Sequence, residues 1–398
     1  MIGVPKALFL VIAARPSMPA ANGNAPELKT MCEIYQLAAS QGDITTINSE
    51  PNVESNMEQL KTLNLTVESD AWLEDKEGAL ADKDGTKKED ARKEWQTEKL
   101  KLDKTPADGK DHKFRMVPNH SHRPTVAAAI KRALEAALNL KDQYDLISAR
   151  QKAAPSEIKK ALTEALYGTG DTKLTGTIMT STAKNYCSTT NGHAATVTGI
   201  AYNFLCLCSS TDQADTVECA HGITGNQLSD PTSGTNAQTA LTATIQKCPK
   251  NVGKNDLTAQ RITTVISAFL SLLGAASKGV TDAPVSFIYG KAHTNGDFNA
   301  KSGQGNCVNY KQQLTGSVTV IPWIRKLEDA QQKLLNQVAD ETAMRTIAAK
   351  IETLTTTAWS VHDQALLTPD VAATTKPSAT ELSTRTEADT TCKKKGKR

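Results

Sequence analysis

Aromatic residues are scarce in this chain, making up 4% of its 398 residues against 39% hydrophobic residues overall. A sheet sandwich or barrel fills its core with aromatic and β-branched side chains. This composition points instead to helices packed at close range through Ala, Leu, Ile and Val. No apolar run approaches the ~20 residues a membrane-spanning helix requires. The run at 262–277 lies between Arg261 and Lys278 and is broken by Thr263, Thr264, Ser267, Ser271 and Gly274, so it reads as a core helix. No hydrophobic tail closes the chain as given, so the expectation from these residues is no signal for a lipid anchor.

Catalytic signatures are missing as well. Gly-x-Ser-x-Gly, His-Glu-x-x-His and the phosphate-loop pattern do not occur. The Gly-rich stretch 299–305 has no apolar strand feeding it and no Gly-Lys-Ser/Thr after it. His120 and His122 flank Ser121 in a loop next to a proline and read as inert. His193, His221 and His293 have no acidic neighbours at a useful spacing. No nucleophile–base pair can be assembled, so the expectation is no catalysis, no cofactor and no small-molecule substrate.

The net charge of +3 depends on the ends. Residues 393–398 hold five basic side chains, and Lys6 and Arg15 lie in a segment expected to be removed. Without these, 39 basic residues face 43 acidic ones, a net −4, which excludes a nucleic-acid partner on electrostatic grounds. The basic end reads as a solvated tail. Lys6, the apolar run 7–14 and the small residues up to Gly23 read as a secretory leader, cleaved near Ala20 or Gly23.

Behind that leader stand eight cysteines: Cys32, Cys187, Cys206, Cys208, Cys219, Cys248, Cys307 and Cys392. In an oxidising compartment most should form disulfides. Five fall between 187 and 248, which implies a stapled, loop-rich lobe. Zinc binding by Cys206-x-Cys208 and Cys219-x-His221 is disfavoured, because paired zinc ligands usually have two or more residues between them.

Positive structural signals come from spacing. Leu28, Met31, Cys32, Tyr35 and Ala39 mark one face of a helix over 26–39, and Met57, Leu60, Leu63 and Trp72 suggest another over 55–73. Residues 86–102 read as an exposed, charge-rich helix. Val126, Ile130, Ala133, Ala137, Leu140, Tyr144 and Ile147 recur in steps of four and three, the pattern of a seam that another helix must cover. Pro124 suits a helix start and Pro155 a stop, which gives a helix of about 45 Å. A shorter helix is then expected over 156–167, capped by Gly168. Met344, Ile347, Ile351, Leu354 and Ala358 repeat the seam pattern, with Leu327, Ala330 and Leu334 leading into it. The fold class is therefore mainly α: an elongated antiparallel helical bundle or coiled-coil rod with a disulfide-stapled, irregular upper lobe over 168–260. Residues 279–318 read as similarly irregular, and order is expected to end near 368. The resulting division is a leader at 1–23, one domain over 24–367, and a linker with the truncated start of a further domain over 368–398. Two N-glycosylation triplets are present, at Asn64 and Asn119, with Asn119 favoured because it falls in a loop.

Three motifs carry a family resemblance. Gly305, Asn306, Cys307, Val308, Asn309 and Tyr310, followed by Ile321, Pro322, Trp323, Ile324, Arg325, Lys326 and Leu327, resemble the signature of trypanosome variant surface glycoproteins with a B-type N-terminal domain. So do Leu63, Asn64, Leu65 and Thr66 with Trp72 behind them. So do residues 203–208, with Cys187 upstream and Cys219 and Cys248 downstream. The resemblance implies a helical bundle standing perpendicular to the membrane, homodimers or trimers, and a C-terminal domain that bears a glycosylphosphatidylinositol anchor at the plasma membrane. It implies a coat antigen that meets host antibodies and is replaced through antigenic variation. A coat-derived receptor or resistance factor binding a host serum protein is the alternative. The resemblance also implies a Cys32–Cys187 bridge, with further pairs drawn from Cys206, Cys208, Cys219 and Cys248. The family usually carries another cysteine upstream of the Cys-Val-x-Tyr motif; here that region holds Asp297 and Phe298, leaving Cys307, like Cys392, without an assigned partner. Some members carry an O-linked sugar on a serine in this neighbourhood, for which Ser302 is the candidate.

Overall fold

The structure is a computed structural model that describes residues 23–40, 44, 52–74, 86–102, 114–174, 187, 198–209, 218–220, 222–223, 234–250, 257–277, 285–292, 305–315 and 320–369. It is mainly α-helical. In chain order the elements are α1 (Ala25–Ala39), α2 (Asn52–Leu65), α3 (Asp70–Glu74), α4 (Thr86–Lys99), α5 (Arg123–Tyr167), α6 (Ile200–Cys208), α7 (Gly234–Ile245), α8 (Ala259–Leu272), β1 (Ile288–Lys291), β2 (Asn306–Asn309), α9 (Lys311–Thr315) and α10 (Pro322–Leu367). They form two compact units: residues 1–47 with 150–341, and residues 48–149 with 342–398.

The second unit holds the seam. Val126, Ile130, Ala133, Ala137 and Tyr144 of α5 are buried in one cluster with Met344, Ile347, Ile351 and Ala358 of α10 and with Val53, Met57, Leu60 and Leu63 of α2. The alanines among them let the helix axes approach closely. Polar ties fix the rotation of each helix: Trp359 Nε1 donates to Gln59 Oε1 at 2.8 Å, and Thr355 Oγ1 donates to the Asn56 carbonyl at 3.4 Å. Lys141 bridges Glu54 at 2.9 Å and Asp145 at 2.7 Å, and Arg123 pairs with Asp70 at 2.9 Å. The charge-rich α4 is held at its edge, where Trp95 Nε1 donates to the Trp72 carbonyl at 3.3 Å and Lys99 Nζ to the Leu73 carbonyl at 2.7 Å.

In the first unit α1 packs on α8 and α6. Pro26 in the first turn presets the backbone of α1. Leu28, Met31, Cys32, Ile34, Leu37 and Ala38 are buried, while Ala39, expected on the inner face, is exposed. The run at 262–277 becomes the core helix α8, with Ile262, Val265, Ile266, Phe269 and Leu272 inside and the Thr258 hydroxyl accepting from the Arg261 N–H at its start. The α8 chain then turns at Gly274 (φ 77°), whose N–H donates to the Ile288 carbonyl at 2.7 Å and so leads into β1.

Two expectations need correction here. Pro155 does not stop the helix: α5 runs unbroken from Arg123 to Tyr167 with Pro155 inside it. A proline in a helix interior costs about 3 kcal/mol. Ile158, Ala161, Leu162 and Ala154 all contribute to the core on either side, and burying one Leu or Ile side chain returns roughly 1.5–3 kcal/mol. Tertiary burial outweighs the local rule. Nor is 168–260 simply irregular, because it contains α6 and α7. All nine residues of α6 are buried, so it has no polar face and no amphipathic period to read. Residues 279–318 likewise contain an antiparallel pair, with Ile288 opposite Asn309 and Lys291 opposite Asn306. Gly290 sits at φ 94°, where an added Cβ would lie 2.7 Å from the Asn306 carbonyl oxygen and 2.5 Å from Leu207 Cδ2, so only glycine lets the pair close over α6.

Candidate functional site

Among the described residues, three disulfides hold the segments of the first unit around α6. Cys206 bonds to Cys187 and Cys208 to Cys219, while Cys32 of α1 bonds to Cys248 just beyond α7. The Cys32–Cys187 bridge implied by the resemblance is replaced by Cys32–Cys248. The reason is packing: α1 runs beside the chain leaving α7, where Gln36 Nε2 also donates to the Pro249 carbonyl at 2.7 Å. With Cys206, Cys208 and Cys219 in disulfides, a zinc site on these thiolates is removed. Cys307 is buried on β2.

Behind the disulfides lies an aromatic core. Phe269 contacts Tyr289 (4.4 Å between centroids), Trp323 (4.7 Å) and Tyr310 (5.5 Å). The Trp323 N–H donates to the Tyr310 hydroxyl at 3.4 Å and the Tyr289 hydroxyl to the Glu27 carbonyl at 3.1 Å. Burial pushes the pKa of both tyrosine hydroxyls well above the ordinary value, so these hydroxyls stay neutral. Sequence reading picked out Tyr310 and Trp323 as motif residues but gave Phe269 and Tyr289 no part. Their meeting depends on contacts between segments far apart in the chain.

A second feature that sequence reading missed is Asn24. It is fully buried, and its side chain does not cap α1. Instead Nδ2 donates to the Leu207 carbonyl at 3.0 Å and the Asn306 carbonyl at 2.7 Å, and Oδ1 accepts from the Lys291 N–H at 2.7 Å. One side chain thus joins α6, β1 and β2. Next to it Lys291 pairs with the buried Glu218 at 3.2 Å.

Between α5 and α10 in this unit an open cleft of about 500 Å³ is lined by Glu157, Lys160, Glu164, Lys326, Asp329 and Lys333. Two acids of its lining, Glu157 and Glu164, are paired with two of its lysines, and a third pair lies beyond it on the same two helices. Arg150 pairs with Asp340 at 2.6 Å, Glu157 with Lys333, and Glu164 with Lys326 at 2.6 Å, at intervals of seven residues along each helix. The hydrogen bond from Lys326 holds the Glu164 carboxyl below the usual range, against the opposing effect of burial. A lowered folded-state pKa adds stability that is fully present above the unfolded carboxyl value of about 4.3 and disappears as pH falls through the folded value. Glu164→Gln should therefore flatten the acid limb of a stability–pH curve below about pH 4.3. Denaturant midpoints at pH 7 and pH 3 measure this, and an unchanged limb would refute it.

The remaining candidate residues are not gathered at one place. Asn119 is exposed beside an exposed Ser121, whereas Asn64 is half-buried at the end of α2, with Thr66 buried and its hydroxyl donating to the Leu63 carbonyl at 2.7 Å. The His120 and His122 rings lie 5.4 Å apart, and His122 Nε2 faces the Ala365 carbonyl at 3.3 Å. His193, His221, His293, Ser302, Cys392, the leader up to residue 22 and the tail from 370 lie outside the described residues. Among the described residues no group of three or more His, Cys, Asp or Glu side chains is placed to hold a metal ion, and no helix is long and apolar enough to cross a membrane.

The chain matches the profile of the family described as "Trypanosomal VSG domain" over residues 7–353. It is also similar to "Variant surface glycoprotein ILTAT 1.23" of Trypanosoma brucei brucei, 26% identical over 247 residues. That similarity covers 58% of this chain and 44% of the relative, so the chain spans less than half the length of that protein.

Proposed function

The chain belongs to the trypanosomal VSG domain family, and from that premise we propose that it is a surface coat antigen of a trypanosome, replaced through antigenic variation and acting without catalysis. The observation that carries this is the family match over 347 residues, from 7 to 353. The framework supports it physically. A buried helix tied by disulfides to its surroundings keeps its backbone while the segments between the tethers vary, which is what an antigen under antibody selection requires. In this reading the chain enters the secretory pathway through residues 1–23, assembles with copies of itself, meets host antibodies and reaches the membrane through a lipid anchor borne by a further C-terminal segment.

Antibodies raised against the purified chain and applied to living, unpermeabilised cells provide the test. Even staining over the whole surface, lost in the survivors of antibody selection, supports the coat reading. Sparse or punctate staining, with one stoichiometric serum protein recovered on the chain, would replace it with the host-ligand receptor.

Asn119 is assigned as the N-glycosylated residue, since a bulky glycan needs an exposed side chain with room around it. Asn119→Gln should abolish the endoglycosidase-sensitive gel shift of the secreted chain, while Asn64→Gln leaves it. The reverse pattern would move the assignment to Asn64.

A further inference from the structure

We propose that cleavage of the leader after Gly23 creates an amino terminus at Asn24 that forms a buried ion pair with Glu218, so that processing completes the core of the first unit. This rests on reading residues 1–23 as a secretory leader. Ala21 and Gly23 are the small residues at the third and first positions before the cut, the spacing a leader peptidase recognises. Water adds across the Gly23–Asn24 amide, leaving a carboxylate on Gly23 and an amine on Asn24 that takes up a proton near neutral pH.

Three observations place that ammonium. Asn24 is fully buried, and its backbone nitrogen already donates to the Glu218 carbonyl at 2.7 Å. The Glu218 side chain is 0% exposed, and its carboxylate meets Lys291 at 3.2 and 3.4 Å, leaving acceptor sites on two desolvated oxygens. The backbone at Gly23 runs directly against that pair: an added Cβ would lie 2.9 Å from Glu218 Oε2 and 2.9 Å from Lys291 Cδ. The bond to be cut therefore lies beside the carboxylate. A cation at the start of a helix opposes the helix dipole and needs a countercharge. Asn24 sits at the N-cap position of α1, and Glu218 supplies that countercharge.

The test begins with the chain secreted from a eukaryotic host. Terminal sequencing should find Asn24. A start at Asn22 or Gly23 would overturn the inference with the leader reading intact, whereas a chain that retains Met1 would remove the leader reading itself. The secreted protein, without substitution, is then treated with an amine acylating reagent at pH 7. The Asn24 α-amine should react at least tenfold more slowly in the folded chain than in urea, while exposed Lys29 reacts alike in both. An α-amine labelled in the folded protein as readily as in urea would overturn the pairing. In a cycle with Glu218→Gln, the variant should raise the unfolding constant at least tenfold more in the chain starting at Asn24 than in one starting at Ala20. Equal effects in the two backgrounds would also overturn it.

Discussion

Replacing Cys32 and Cys248 together with alanine is expected to destabilise the first unit more than removing either of the other two bridges. Cys32–Cys248 closes a sequence separation of 216 residues, against 19 for Cys187–Cys206 and 11 for Cys208–Cys219. In the chain-entropy view the constraint on the unfolded state grows with loop length, giving about 5 kcal/mol for the long loop and about 3 kcal/mol for each short one. The long bridge also fixes α1, whose buried residues Met31, Ile34 and Leu37 would lose a firm hold on α8 if the helix could swing. Urea unfolding of the three double variants under oxidising conditions gives the ranking. Equal losses, or a smaller loss for the Cys32–Cys248 pair, would contradict the loop-length account.

Trp323→Ala is the other large effect expected, at about 3–5 kcal/mol, the usual cost of truncating a buried tryptophan. Trp323 is among the largest fully buried side chains. Its loss opens a cavity against Phe269 and strips the buried Tyr310 hydroxyl of its donor, so packing and hydrogen-bond penalties fall on one site. Trp323→Phe should recover most of the packing but not the hydrogen bond. The half-buried Trp72, whose ring lies 6.0 Å from that of Trp95, provides a contrast. Trp72→Ala should cost much less, because its surface is already partly hydrated. Denaturant midpoints, with near-ultraviolet dichroism reporting the aromatic cluster, decide the matter. A loss at Trp323 no larger than at Trp72 would show that the cluster does not carry the core.

The seam of the second unit was legible because its physics is local and repetitive. Steps of three and four place Val126, Ile130 and Ala137 on one face of α5 whatever the helix meets, and Met344 and Ile351 on one face of α10. What could not be read depends on partners distant in the chain. Pro155 obeys a local rule only when nothing better is gained by breaking it, and the burial of Ile158 and Leu162 cannot be seen from a window around the proline. Helix α6 hides because a segment buried on every side has no period. Cysteine pairing is a matter of spatial proximity, and even six cysteines allow 15 connectivities. Asn24 resembles an ordinary helix-capping residue; its actual partners, Leu207, Lys291 and Asn306, lie about two hundred or more positions away.

The charge pairs along α5 and α10 settle a question that the apolar contacts leave open. A face of alanine and leucine is nearly indifferent to sliding by two turns, since similar side chains recur every seven residues. Charge is not indifferent, because α5 presents Arg150, Glu157 and Glu164 to Asp340, Lys333 and Lys326. Slipping α10 by one heptad in one direction sets Arg150 against Lys333, and slipping it in the other sets Glu157 against Asp340. Each such rung is worth only about 0.2–1 kcal/mol in the correct alignment. Exchanging attraction for repulsion in one rung while losing another disfavours a slipped register by about tenfold in population. Pairs that each add little to stability thus decide which turn of one helix meets which turn of the other.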